Sequence, residues 1–172
     1  MFNQLGEESG MKITVYHGAT QVIETPLCKF GRPKLDFGQG FYVTDLKEQA
    51  IKWAQTVALK RGEKPLLNIY QLDRDSIIAE ARCKLFTAYD KDWLDFIVGN
   101  RQGKNPAKDF DYVEGGIAND RVIDTIKFYI SGIMDENSTL RQLAFHKPNN
   151  QICILNQELL DKYLKYVRTV SI

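Results

Sequence analysis

GQGFYVTD, Gly38 to Asp45, joins a flexible Gly-Xaa-Gly turn to a short aromatic strand and then to a helix start. Phe41 to Thr44 reads as the strand, and Asp45 with Glu48 three residues on reads as a capping-box-like helix start. The order of these pieces decides the fold class. A dinucleotide fingerprint follows a strand and opens a helix, whereas Gly38 and Gly40 precede a strand, so a Rossmann fold is disfavoured.

Working outward, Lys12 to Tyr16 reads as a strand ended by His17 and Gly18, and the Pro- and Gly-punctuated stretch from Glu24 to Gly40 as a loop. Downstream of the motif a helix is predicted to Arg61, with Ala50, Trp53, Ala54, Val57 and Ala58 on its apolar face and Gly62 as its stop. Pro65 to Asp73 and Ser76 to Ala81 read as strands, and Asp90 to Asn100 as a helix with Trp93, Leu94, Phe96 and Ile97 inward. A strand over Phe110 to Val113 leads to the Gly115-Gly116 turn and a helix capped by Asn119 or Asp120 and ended by Gly132. A helix from Ser138 or Thr139, a buried strand over Gln151 to Leu155, a short helix over Gln157 to Asp161 and a strand over Tyr163 to Val170 complete the chain. Strands and helices mixed without regular alternation imply an α+β domain on a twisted, mainly antiparallel sheet with peripheral helices.

The 172 residues, 44% of them hydrophobic, suit one compact domain over residues 11–172. Met1 to Gly10 is set aside as an N-terminal extension, disordered or vector-derived, because Met11 opens the first strand-like run. With 23 basic and 22 acidic residues the net charge is +1, which makes nucleic acid or an anionic membrane an unexpected partner. Three scattered cysteines, Cys28, Cys83 and Cys153, point to a reducing, cytoplasmic setting, and with only His17 and His146 beside them no zinc spacing arises. No signal peptide or membrane-length apolar run is evident.

Three ordered segments, YHGA (Tyr16 to Ala19), GQGFYVTD and NNQICILN (Asn149 to Asn156), resemble the NAD-binding core of ADP-ribosyltransferases in the branch of diphtheria toxin and the poly(ADP-ribose) polymerases. The resemblance implies an ADP-ribosyltransferase-like fold with NAD as substrate. It makes His17 a ligand of an NAD ribose hydroxyl, Gly18 a backbone cradle for the nicotinamide carboxamide, and Tyr42 the tyrosine lining the nicotinamide pocket. Trp53, eleven residues after Tyr42, stands where the polymerases place a second stacking aromatic. Gln151 replaces the family's catalytic glutamate: it keeps hydrogen-bonding capacity without charge or basicity. Ala19 likewise departs from the usual hydroxyl residue.

The span from Lys12 to Val170 also resembles a bacterial family of unknown function that is ADP-ribosyltransferase-like, with toxin-like members paired with a small antitoxin. That resemblance implies ADP-ribosyl transfer to a protein or other macromolecule, or alternatively a catalytically silent NAD- or ADP-ribose-binding module, or an NAD glycohydrolase. Plain structural roles stand beside the sharp ones. His17 suits a strand-end surface position, Tyr42 a packed strand, Trp53 the core face of its helix, and Gln151 a bond to a neighbouring backbone group. Arg32 is either a pyrophosphate ligand or a solvated loop residue. Asp111, Glu114 and Asp120 are either a source of the missing carboxylate or a solvated loop and helix cap.

Overall fold

The computed structural model describes residues 10–172; apart from Gly10, the extension expected over residues 1–10 lies outside the described residues. Among the described residues, seven strands and six α-helices form an α+β architecture. In chain order they are β1 (Lys12–Ala19), β2 (Phe41–Val43), α1 (Lys47–Arg61), β3 (Leu66–Asp73), α2 (Arg74–Glu80), β4 (Cys83–Leu85), α3 (Lys91–Arg101), β5 (Tyr112–Gly115), α4 (Ile123–Ile130), α5 (Glu136–Leu143), β6 (Gln151–Ile154), α6 (Gln157–Tyr163) and β7 (Leu164–Ser171). One sheet runs β1-β3-β7 and is antiparallel throughout; the other runs β2-β6-β5-β4, antiparallel except for the parallel β4–β5 pair. An isolated antiparallel bridge between Tyr16 and Thr44 ties the two sheets together.

Strand alternation sorts the side chains into layers. Val15, Tyr70 and Leu72 from the first sheet pack with Phe41, Val43, Ile152 and Ile154 from the second, closed by Leu159 and Leu160 of α6. The opposite face of the second sheet, carrying Val113 and Cys153, meets Trp93, Leu94, Phe96 and Ile97 of α3, Ile126 of α4 and Leu143 of α5. Helix α1 covers the outer face of the first sheet with Ala50, Ala54 and Ala58, residues small enough to bring its backbone close to β1. Gly62 ends α1 in the left-handed conformation at φ 68°, as its position predicts.

Several local expectations are corrected. His17 and Gly18 lie inside β1, which continues to Ala19 because its pairing with β3 extends to Ala19↔Leu66. Ser76 to Ala81 belongs largely to helix α2: the Asp73 carboxylate accepts from the Ser76 N–H at 3.2 Å and starts a helix where a strand is expected. Asp45 does not cap α1, which begins after Leu46; its carboxylate accepts from Asn150 Nδ2 at 2.9 Å instead. Asp135, not Ser138 or Thr139, caps α5, and α4 starts only at Ile123, past Asn119 and Asp120. Trp53 is 51% exposed, so it is not part of the core face of α1.

Candidate functional site

The centre of the site is a split between the two sheets. Tyr16 and Thr44 exchange both backbone hydrogen bonds, at 2.8 and 3.0 Å, so their N–H and C=O groups point across from β1 to β2. Along an antiparallel strand every second residue directs its backbone polar groups to the same side. Gly18 and Tyr42, two residues further along each strand, therefore turn theirs toward the same gap. Among the described residues no second bridge forms there, since Tyr16–Thr44 is an isolated pair. The strands part with Gly18 and Tyr42 on facing lips.

His17 fills part of that gap. Its Nδ1 lies 2.6 Å from the Tyr42 carbonyl oxygen, which can only accept, so Nδ1 carries the proton and Nε2 keeps its lone pair. The ring also stacks on Phe41 with centroids 4.6 Å apart. Burial lowers the imidazole's proton affinity below its usual value, more than the bond to the Tyr42 carbonyl raises it. His17 is thus a neutral acceptor through Nε2 at neutral pH. Because the unfolded chain takes up this proton near pH 6.5 and the folded one resists it, stability is full above that pH and declines as pH falls below it. The urea midpoint is expected to drop between pH 7.5 and pH 5 (about 1–2 units around the reference value) less in His17→Gln than in the parent protein; equal drops would contradict the neutral, partly buried imidazole.

Gly18 is fixed by packing as well as by its backbone role. A Cβ there would stand 2.1 Å from the Ala50 carbonyl oxygen and 2.9 Å from the Ala54 nitrogen, both backbone atoms of α1. Only glycine lets the helix lie this close to the strand that carries His17.

Tyr42 is pinned from its ring end. Its hydroxyl donates to the Gly38 carbonyl at 2.6 Å and accepts from the Phe37 N–H at 3.1 Å, and its ring stacks with Phe37 at 6.5 Å. Burial pushes its phenol far above the ordinary range, so it stays protonated. The Gly38 turn, at φ 86°, is thereby bolted to the strand it precedes. The phenol secures the loop, and the Tyr42 backbone carbonyl orients His17.

Gln151 opens β6 opposite Gly115 of β5, and continuing the β2–β6 register places it beside Thr44. Its Oε1 accepts from Gln49 Nε2 at 2.6 Å, leaving its own amide N–H groups to donate elsewhere. Gln49 Nε2 also reaches the Asn150 carbonyl at 3.0 Å, and Thr44 Oγ1 donates to the same oxygen at 2.7 Å. Gln49 and Thr44 belong to the candidate site without being singled out by the sequence pattern. Trp53 follows Gln49 by one helical turn, which puts the exposed indole on the stripe of α1 that carries the Gln151 partner.

The other candidates are dispersed. Glu114 accepts from Arg74 Nε at 2.8 Å and from the Tyr112 hydroxyl at 2.6 Å, and Asp111 holds Arg82 through both carboxylate oxygens at 3.0 Å. The hydrogen bond to Arg82 is the main cause that lowers the Asp111 carboxyl to about 2. Both acids are engaged in structural pairs. Asp120 forms an exposed pair with Lys52 of α1 at 3.1 Å, next to Trp53 in sequence. Arg32 is exposed on the loop before Gly38.

Among the described residues, two open clefts of about 480 and 310 Å3 are each lined by residues other than His17, Tyr42 and Gln151. The smaller one touches Gln39, beside the Gly38 turn. Among the described residues no helix is long and apolar enough to cross a membrane, and the three cysteines are free. No curated protein matches the chain. A family described as a protein of unknown function (DUF3990) matches residues 13–166, a span running from β1 into β7 and holding His17, Tyr42 and Gln151; the chain belongs to that family.

Proposed function

We propose that this chain has an ADP-ribosyltransferase-like fold and takes NAD as its substrate, passing ADP-ribose to a protein or other macromolecular acceptor. The observation that carries the reading is the split beyond the Tyr16–Thr44 bridge, where the Gly18 backbone on β1 faces β2 and the neutral His17 beside it reaches across to the Tyr42 carbonyl. The Gly18 N–H and C=O offer one donor and one acceptor, the pair a carboxamide needs. Nε2 of His17 accepts from a ribose hydroxyl, and the exposed Trp53 offers a face to a flat cationic ring, an attraction of roughly 0.5–2 kcal/mol. Gln151 holds a second hydroxyl through its free amide hydrogens. An intracellular toxin role, held in check by a small antitoxin, belongs to the same proposal and is supported only by the family resemblance.

A second reading, a silent NAD- or ADP-ribose-binding module, is favoured by one specific observation: position 151 carries no charge. The Gln49 amide separates the two. As a donor 2.6 Å from Oε1, it serves a carboxylate at 151 as well as an amide, so Gln151→Glu keeps the contact. Incubation of both proteins with labelled NAD in cell lysate is expected to label an acceptor in each, with at least a tenfold gain in the variant, within the range of a positioned carboxylate. Labelling by the variant alone would establish the silent module. Release of free ADP-ribose without labelling of any macromolecule would make water the acceptor.

A further inference from the structure

The even overall charge conceals a local imbalance. Residues 28–40 and 101–111 together hold six basic and three acidic residues. Two of the acids are already engaged, Asp36 with Arg101 at 2.6 Å and Asp111 with Arg82 at 3.0 Å. Lys29, Arg32, Lys34, Lys104 and Lys108 are all exposed, and none takes part in an ion pair among the described residues.

The two loops that carry these cations touch each other. Lys34 lies over Gly103, where a Cβ would stand 3.1 Å from its Cε; Gly38 abuts Ala107; and Gln39 Nε2 donates to the Lys29 carbonyl at 3.0 Å. Lys108 and Gln39 both line the 310 Å3 cleft between the two loops. Beside Lys29 the Phe30 ring stands 77% exposed, with the Lys29 ammonium 5.3 Å from its centroid. An aromatic face displayed among unpaired cations is the arrangement that holds a phosphate backbone while a base stacks on the ring. A duplex keeps its bases stacked inside and leaves Phe30 nothing to cover it. An acidic protein segment would use the lysines and leave the ring idle.

We infer that the face built by Lys29, Phe30, Arg32, Lys34, Lys104 and Lys108 binds single-stranded nucleic acid. The inference is independent of NAD chemistry and revises the expectation drawn from the net charge.

The test is fluorescence anisotropy of the full chain, without NAD, against labelled single-stranded DNA and RNA oligonucleotides of about a dozen nucleotides, a base-paired duplex and a poly-glutamate peptide. Binding of one or both single strands is expected, the two arms telling deoxyribose from ribose. The plot of log affinity against log salt should slope by about −3, for roughly four phosphates neutralised. Phe30→Ala should weaken binding about tenfold, the scale of one lost base stack. Lys34→Glu with Lys104→Glu should weaken it further and flatten the salt slope; all three positions are exposed, and unchanged circular dichroism would show that the variants fold. No anisotropy change at low salt, equal binding of the duplex or of poly-glutamate, or an unchanged affinity in Phe30→Ala would each overturn the inference.

Discussion

Gly18→Ala is expected to destabilise the protein by about 3 kcal/mol, at the upper end of the usual cost of overpacking. The added methyl would meet the Ala50 carbonyl oxygen at 2.1 Å and the Ala54 nitrogen at 2.9 Å. Neither is the movable end of a side chain, so relief requires shifting α1 away from β1. That shift would also pull Gln49 from Gln151 and carry Trp53 outward, because all three belong to or touch the same helix. One substitution would thus damage packing and site together. Urea denaturation reads the stability loss directly. A midpoint indistinguishable from the parent's would contradict the direct seating of α1 on Gly18.

Trp93→Ala is expected to cost about 4 kcal/mol, lowering Tm by about 10 °C in a chain of this size. Trp93 is fully buried, its ring lies 4.5 Å from that of Tyr89, and its Nε1–H donates to the Gly116 carbonyl at 2.7 Å. Truncation leaves a cavity in the core under the second sheet and strips that carbonyl of its partner. Gly116 directly follows Gly115, the residue paired with Gln151, so α3 braces the strand end from which Gln151 projects. Trp93→Phe retains most of the volume but not the hydrogen bond, and should lose roughly 1–2 kcal/mol. Equal losses in the two variants, by calorimetric melting, would show that packing volume contributes little here.

Patterns that depend on neighbours along the chain are legible in the sequence itself. The Ala50-Ala54-Ala58 stripe, the Trp93-Leu94-Phe96-Ile97 face, the Gly62 stop and the buried run at Gln151 all stand where periodicity and punctuation put them. Misreadings arise where a single contact decides. Ser76 to Ala81 has strand-like composition, yet the Asp73 cap three residues before Ser76 turns it into a helix. His17-Gly18 looks like a strand end, yet β3 continues to pair beyond it. Cys83 to Leu85 is too short to show a period and becomes a strand only through its parallel pairing with β5.

The site follows the same division. Residue types at Tyr16 to Ala19, Gly38 to Asp45 and Gln151 mark three strands that converge around one bridge. The bonds that join the candidate site, His17 to the Tyr42 carbonyl between strands and Gln49 of α1 to Gln151, span 25 and 102 residues and have no local signature. Trp53 shows why helical spacing alone misleads: position 53 lies beside the alanine stripe, yet the indole turns half outward.

If the split between β1 and β2 receives NAD, as we propose, isothermal titration of NAD into the purified protein under reducing conditions will show it. Saturable binding is predicted for the parent protein. In His17→Ala it should be abolished, or weakened at least about a hundredfold, since that change removes the imidazole acceptor and opens the gap it fills. No heat of binding in the parent protein, or the same affinity in His17→Ala, would contradict the claim.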